Sequence, residues 1–234
     1  MTDRTPRHAV VIASGGLDST AVAYLLAAQG ARVSLLSFDY GQRHSRELEC
    51  AAQIAQQLGA AHEVVDLVSV GRLLRGSALT DDSIEVPDGH YNDVSMQATV
   101  VPNRNAIMLS IAVGAAVSAQ ADAVAFGAHA GDHTIYPDCR PGFFACMAET
   151  VRLGNEGLLA DDFELLAPFL QASKADIVQA AAGLGVPFGL TWSCYKGGRV
   201  HCGTCGTCCE RREAFALSGL ADPTEYAEPC GVTR

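Results

Sequence analysis

The chain has 234 residues, 49% of them hydrophobic and 18% charged. That balance supports a full core and excludes disorder as the main state, and the length predicts one domain with at most a small appendage. A formal charge of -10 argues against broad, unspecific nucleic-acid binding, and no stretch reaches the ~18 uninterrupted apolar residues of a membrane span.

The first residues carry basic side chains before a short apolar run that leads into a glycine turn, a pattern that predicts no signal peptide and a cytoplasmic protein. That run, His8 to Ala13, is β-branched and predicts a buried strand. A helix is predicted from Asp18 to Gln29, a strand from Arg32 to Phe38, a helix from Ser45 to Leu58 closed by Gly59, and a third strand from His62 to Leu67. Ser69 to Gln97 shows no sustained period and reads as a surface excursion with a short helix at its start, a candidate lid. A helix follows at 105–119, a strand at 123–127, a polar loop at 129–141, a helix at 143–153 and a short strand at 163–166. Ser173 opens another helix, with Asp176 placed for a capping box and an end near Gly183. A cysteine-rich segment and a short helix from Cys209 to Leu217 complete the chain. Strands alternating with helices predict an α/β fold with a mainly parallel five-stranded sheet flanked by helices. Its body is placed at residues 1–190, with the excursion at about 69–97 and a small C-terminal region at 191–234 packed on it.

Three constellations carry chemistry. Ser14-Gly15-Gly16-Leu17-Asp18-Ser19-Thr20 lies where the first strand meets the first helix. Two glycines allow a sharp turn, two hydroxyls add donors, and the helix N-terminus adds positive potential, so the segment predicts a phosphate cradle. It lacks the GKS or GKT ending of a Walker loop and the GxGxxG of a dinucleotide site. Second, Cys194, Cys202, Cys205 and Cys208 form C-x7-C-x2-C-x2-C, with Gly203 and Gly206 allowing tight turns. Four thiolates suit a closed, tetrahedral, structural Zn²⁺; an iron–sulfur cluster is the other reading of the same ligands. Third, the polar segments 38–44, 102–105 and 136–140 include arginines suited to a carboxylate or phosphate, and those that follow strands belong on the same sheet edge as the phosphate loop. Lys174, just inside a helix start, is a candidate phosphate contact, and Asp132 and His133 are candidates for positioning a nucleophile.

SGGLDST after an N-terminal strand resembles the pyrophosphate loop of the N-type ATP pyrophosphatases, with their adenine-nucleotide α-hydrolase-like fold. With FDYGQRH, VPNRN, YPDCRP, SKADIV, TWSCY and HCGTCGTC in order, the chain resembles the 7-cyano-7-deazaguanine synthase branch of the queuosine pathway from about Val10 to Phe215. The resemblance implies an ATP-dependent carbon–nitrogen ligase. The carboxylate of 7-carboxy-7-deazaguanine is adenylated, ammonia displaces AMP to give an amide, and a second ATP converts the amide to the nitrile preQ0. It implies ATP with Mg²⁺ on Ala13, Ser14, Gly15, Gly16, Leu17, Asp18, Ser19, Thr20, Ala21, Val22 and Ala23. It also implies one Zn²⁺ on Cys194, Cys202, Cys205 and Cys208, small-molecule partners without nucleic acid or membrane, and a homodimer. Asp18, Arg104 and Lys174 are the candidate catalytic residues. Tyr40, Gln42, Arg43, Asn103, Arg104, Asp138 and Arg140 are the candidate substrate contacts. Gly142 stands where an acidic residue is expected, and no catalytic role is carried over to His129 or His133.

Two other readings compete. A tRNA thiolase-type adenylating enzyme would use Cys139 and the C-terminal cysteines and would bind tRNA, which the charge disfavours. A zinc-ribbon binding module is supported by the basic run Lys196, Arg199, Arg211 and Arg212, but it leaves SGGLDST without a purpose.

Overall fold

The computed structural model describes residues 4–91 and 94–228. Residues 92 and 93 of the excursion and 229–234 of the C-terminal region lie outside the described residues. Strand β1 (His8–Ile12) is buried along its whole length, as a central parallel strand must be. On one side of it lie β2 (Arg32–Asp39) and then β3 (Ala61–Asp66). On the other lie β4 (Ala123–Ala125) and then β5 (Glu164–Leu166). The order is β3-β2-β1-β4-β5, and every pairing is parallel, where the sequence pattern promised only a mainly parallel sheet.

The helices in chain order are α1 (Leu17–Ala28), α2 (Arg46–Leu58), the short α3 (Val68–Gly71), α4 (Arg104–Ser118), α5 (Pro141–Gly154), α6 (Lys174–Gly183) and α7 (Gly206–Ser218). Successive strand residues feed opposite cores, as a two-residue period requires. Ala9 and Val11 pack with residues of α1, α2, α6 and α7, while Val10 and Ile12 pack with residues of α4 and α5. The sheet is therefore covered on both faces. Strand order reverses between β1 and β4, so the loops after these two strands part and leave a crevice at their carboxyl ends, where open α/β sheets bind ligands.

Local chemistry explains the boundaries. Gly59, at φ 61°, ends α2 in the left-handed conformation. Ser173 accepts from the Asp176 N–H while Asp176 accepts from the Ser173 N–H, the reciprocal pair the sequence predicts. α7 starts at Gly206, not Cys209: Cys205 takes the extended cap position, which places Cys208 and Cys209 in the first turn.

The excursion is anchored rather than superficial. Ser77, Ala78 and Leu79 are completely buried. Arg43 donates to the carbonyls of Asp81 and Ile84, and Asp88 makes a backbone bridge to Cys205 and an ion pair with Lys196. The segment thus ties the end of β2 to the cysteine-rich region.

Candidate active site

Ser14 and Gly16 turn the chain from β1 into α1 at the crevice. Ser19 Oγ accepts from the Ser14 N–H at 3.2 Å, Ser14 Oγ accepts from the Gly16 N–H at 3.2 Å, and Thr20 Oγ1 donates to the Gly16 carbonyl at 2.7 Å. The hydroxyls shape the loop from within, and no side chain caps the α1 N-terminus. That leaves helix donors facing the crevice, the geometry of an anion site. Two glycines allow the approach. A Cβ on Gly15, whose φ is 72°, would collide with the backbone oxygen of Glu47 in α2. A Cβ on Gly127, just after β4, would stand 2.9 Å from the Ser19 nitrogen.

Beside the loop, Lys174 Nζ donates to Asp18 at 2.6 Å and pairs with Glu210 of α7 at 3.3 Å. Burial pulls the Lys174 pKa down, but Asp18, Glu210 and Asp132 outweigh it and hold the group above the ordinary lysine value. Burial pushes Asp18 up, and Lys174 and His129 more than reverse it, so Asp18 is lowered. Glu210 is raised, because burial outweighs its cationic neighbours. His129 accepts from the Gly131 N–H through Nδ1 at 3.0 Å, and its Nε2 lies 3.5 Å from Asp132 and 3.3 Å from Lys174 Nζ. Asp132 in turn accepts from Tyr91 at 2.8 Å.

The far end of the cavity is formed by Arg104 with Tyr40, Tyr136 and Tyr195. Arg104 reaches only neutral oxygens, the Tyr40 hydroxyl at 3.4 Å and the Asn105 side chain at 3.3 Å, and it forms no carboxylate pair among the described residues. Burial lowers its pKa and the surrounding tyrosines raise it further, so the guanidinium stays charged. Burial pushes Tyr40 up to about 12, and it is neutral. A half-buried cation without a counter-charge is unfavourable, and a ligand anion or carbonyl would relieve it.

The candidate residues divide accordingly. Ala13, Ser14, Gly16, Leu17, Asp18, Ser19, Tyr40, Arg104 and Lys174 line one cavity. Gly15 and Thr20 shape the loop, while Ala21, Val22 and Ala23 are fully buried core of α1. Gln42 does not reach the cavity: it accepts from the Tyr40 N–H and donates to the Phe38 carbonyl and to Glu47. Arg43 holds the excursion. Asn103 is exposed in the left-handed conformation at φ 57°. Asp138 braces Asn105 through two hydrogen bonds, and exposed Arg140 donates to the His133 carbonyl. Glu47, Tyr91 and Glu210 line the cavity and escape sequence reasoning, while His44, Asn105 and Tyr195 line it from segments the sequence singles out without being named as contacts. Cys139 lines it too, but burial, Asp132 and Asp138 push its thiol far above the ordinary range, so it is no thiolate.

The four predicted ligand sulfurs of Cys194, Cys202, Cys205 and Cys208 lie within 4.8 Å of one another. Zn–S bonds of about 2.3 Å in a tetrahedron separate sulfurs by about 3.8 Å, and Cys202 and Cys208 stand 3.8 Å apart. The Thr204 and Cys205 N–H groups point to Cys202 Sγ at 3.4 and 3.3 Å, as donors to metal-bound thiolates do. The cluster is compatible with a zinc site. His201 is not needed as a ligand: it accepts from the Ser193 N–H, and burial and Arg211 lower it to about 4. Of the basic run around the cysteines, only Arg199 is exposed. Arg211 is fully buried and paired with Asp222, Lys196 is paired with Asp88, and Arg212 lies over Tyr226.

The family model described as "Queuosine biosynthesis protein QueC" matches residues 8–219. A 7-cyano-7-deazaguanine synthase of Allorhizobium ampelinum is 56% identical over 220 residues, covering 94% of this chain and 92% of that protein. The one of Agrobacterium fabrum is 57% identical with the same coverage. Among solved structures, the U34-tRNA thiolase NcsA of Methanococcus maripaludis, with its [4Fe-4S] cluster, gives a TM-score of 0.48 at 12% identity over 99% of this chain and 82% of that one, too distant to bear on activity. A family match running from the first strand to the last helix, and relatives more than half identical over 94% of the chain, lead to one conclusion: the chain belongs to the QueC family of queuosine biosynthesis proteins.

Proposed function

We propose that the chain is a 7-cyano-7-deazaguanine synthase that adenylates a deazaguanine carboxylate and then the derived amide, with ammonia as the nitrogen source. The observation that carries this reading is a single cavity holding both an open strand-to-helix loop and a half-buried arginine that has no carboxylate partner among the described residues. A carboxylate on an aromatic ring is a poor electrophile. Attack of its oxygen on the α-phosphorus of ATP releases pyrophosphate and leaves AMP as a good leaving group.

The α1 N-terminus, Ser14 and Lys174 are the donors that would bind the phosphates, and they gain most where charge develops on the departing pyrophosphate. Arg104 would hold the acceptor's anionic or carbonyl edge, with the three tyrosines excluding water. ATP brings Mg²⁺, which neutralises phosphate charge. Asp18 would hold it, since its Oδ1 is buried with no partner. Cys194, Cys202, Cys205 and Cys208 would hold one structural Zn²⁺, whose closed sphere leaves no position for a reacting water. The family resemblance adds a homodimer in the cytoplasm.

An isotope experiment tests the adenylation directly. 7-Carboxy-7-deazaguanine labelled with ¹⁸O in its carboxyl group should pass one ¹⁸O into AMP, read by mass spectrometry. Unlabelled AMP would exclude the acyl adenylate.

A further inference from the structure

His44 is almost wholly buried, at 3% exposure, yet its Nδ1 has no hydrogen-bond partner. Buried polar atoms rarely stay unsatisfied without a reason. The ring lines the same cavity as Ser14 and Gly16. Its other nitrogen, Nε2, faces Glu47 Oε2 at 3.3 Å, and Glu47 Oε1 accepts from the Gln42 side chain at 3.0 Å. The imidazole is also held against Tyr195, with ring centroids 5.2 Å apart. Gly15 of the phosphate loop packs on the backbone of Glu47, so this assembly abuts the loop directly. A proton on Nε2 would face the Glu47 carboxylate and leave the Nδ1 lone pair as the one that can accept. A base oriented by a carboxylate, in the cavity that also holds the β1–α1 loop, is the arrangement of general-base catalysis.

We infer that His44 Nδ1 is the proton acceptor for nitrogen, with Glu47 and Gln42 as the residues that position it. The inference rests on the reading of the chain as a nitrile-forming synthase and supplies a part which that reading lacks. Conversion of an amide to a nitrile removes both N–H protons. The amide oxygen attacks the α-phosphorus of ATP and pyrophosphate leaves, giving a cationic imidate. One N–H proton goes to a base, and its electron pair becomes the nitrogen lone pair. The C–O bond then breaks with its electron pair on AMP, and the nitrogen lone pair becomes the third C–N bond. The remaining N–H proton goes to the base, and its pair stays as the nitrile lone pair. Phosphate contacts can drive the first event but cannot accept these protons. His44 would pass each to solvent between steps, and the same atom would take the proton from ammonia after it attacks the acyl adenylate.

The test starts from the amide, with full-length zinc-loaded protein, Mg²⁺ and ATP. In His44→Asn, nitrile release should fall at least ~100-fold, while amide-dependent ATP–pyrophosphate exchange stays within about threefold of wild type. Glu47→Gln keeps the imidazole and loses the charge behind it. It should lower nitrile release about tenfold and spare exchange, which keeps the test decisive if His44→Asn does not fold. Nitrile release near the wild-type rate in either variant would overturn the inference. So would equal losses of exchange and nitrile release, the mark of a binding or structural role. If the wild type makes no nitrile, the synthase reading falls and the inference with it. If the wild type makes nitrile and His44→Asn does also, only the inference falls.

Discussion

Lys174→Met is expected to reduce ATP–pyrophosphate exchange by ~100- to 1,000-fold, the size of effect seen when one preorganised donor is removed from developing charge. The ammonium is held between Asp18 at 2.6 Å and Glu210 at 3.3 Å, and its raised pKa keeps it charged throughout the working range. Methionine fills much of the same volume and removes the charge. It also leaves Asp18 and Glu210, two half-buried carboxylates, without the ammonium between them, which lowers stability. Two readouts separate these effects. Urea denaturation should show the stability loss, and exchange measured on the folded fraction should show the catalytic loss. Exchange within threefold of wild type in folded Lys174→Met would remove Lys174 from the phosphate site.

The second large effect is expected from Cys205→Ser. Cys205 is fully buried, caps α7 and bridges Asp88 of the excursion. Loss of one thiolate opens a closed four-sulfur site, and metal binding in such sites is folding free energy. Bound zinc should fall from near stoichiometric to near zero, read by elemental analysis after gel filtration. Activity should vanish as well, through loss of the wall that the cluster supports. Tyr195 and Thr207, next to ligand cysteines, and Glu210, in the second turn of α7, all line the reaction cavity, so the cluster positions one wall of it. A variant that lost its zinc and kept its activity would show that the wall stands without the metal.

The fold was legible because each element announces itself locally. His8 to Ile12 is short, β-branched and followed by glycines, Gly59 closes α2, and the Ser173–Asp176 pair marks the start of α6. The glycine turn between β1 and α1 and the cysteine cluster were legible for the same reason, since their partners lie close in sequence. The rest of the site arises from long-range convergence. Glu210 sits in a charged CERRE run that looks solvated, yet α7 turns it to Lys174, while its neighbour Arg211 is buried against Asp222. In the segment after β2, the chain turns Tyr40 and His44 toward the cavity but Gln42 and Arg43 away from it. A motif therefore locates a segment at the sheet edge without saying which of its side chains face the ligand. The direction is set by the excursion, whose carbonyls hold Arg43 from about forty residues on, and by Glu47 at the start of α2, which holds Gln42 and His44.

The most direct measurement is turnover of 7-carboxy-7-deazaguanine with ATP, Mg²⁺ and ammonium, following AMP and organic product together by mass spectrometry. The nitrile should appear with two AMP for each molecule formed, and the amide should rise and fall before it. AMP released without nitrile, or no AMP from this carboxylate, would contradict the assignment of this cavity to two successive adenylations.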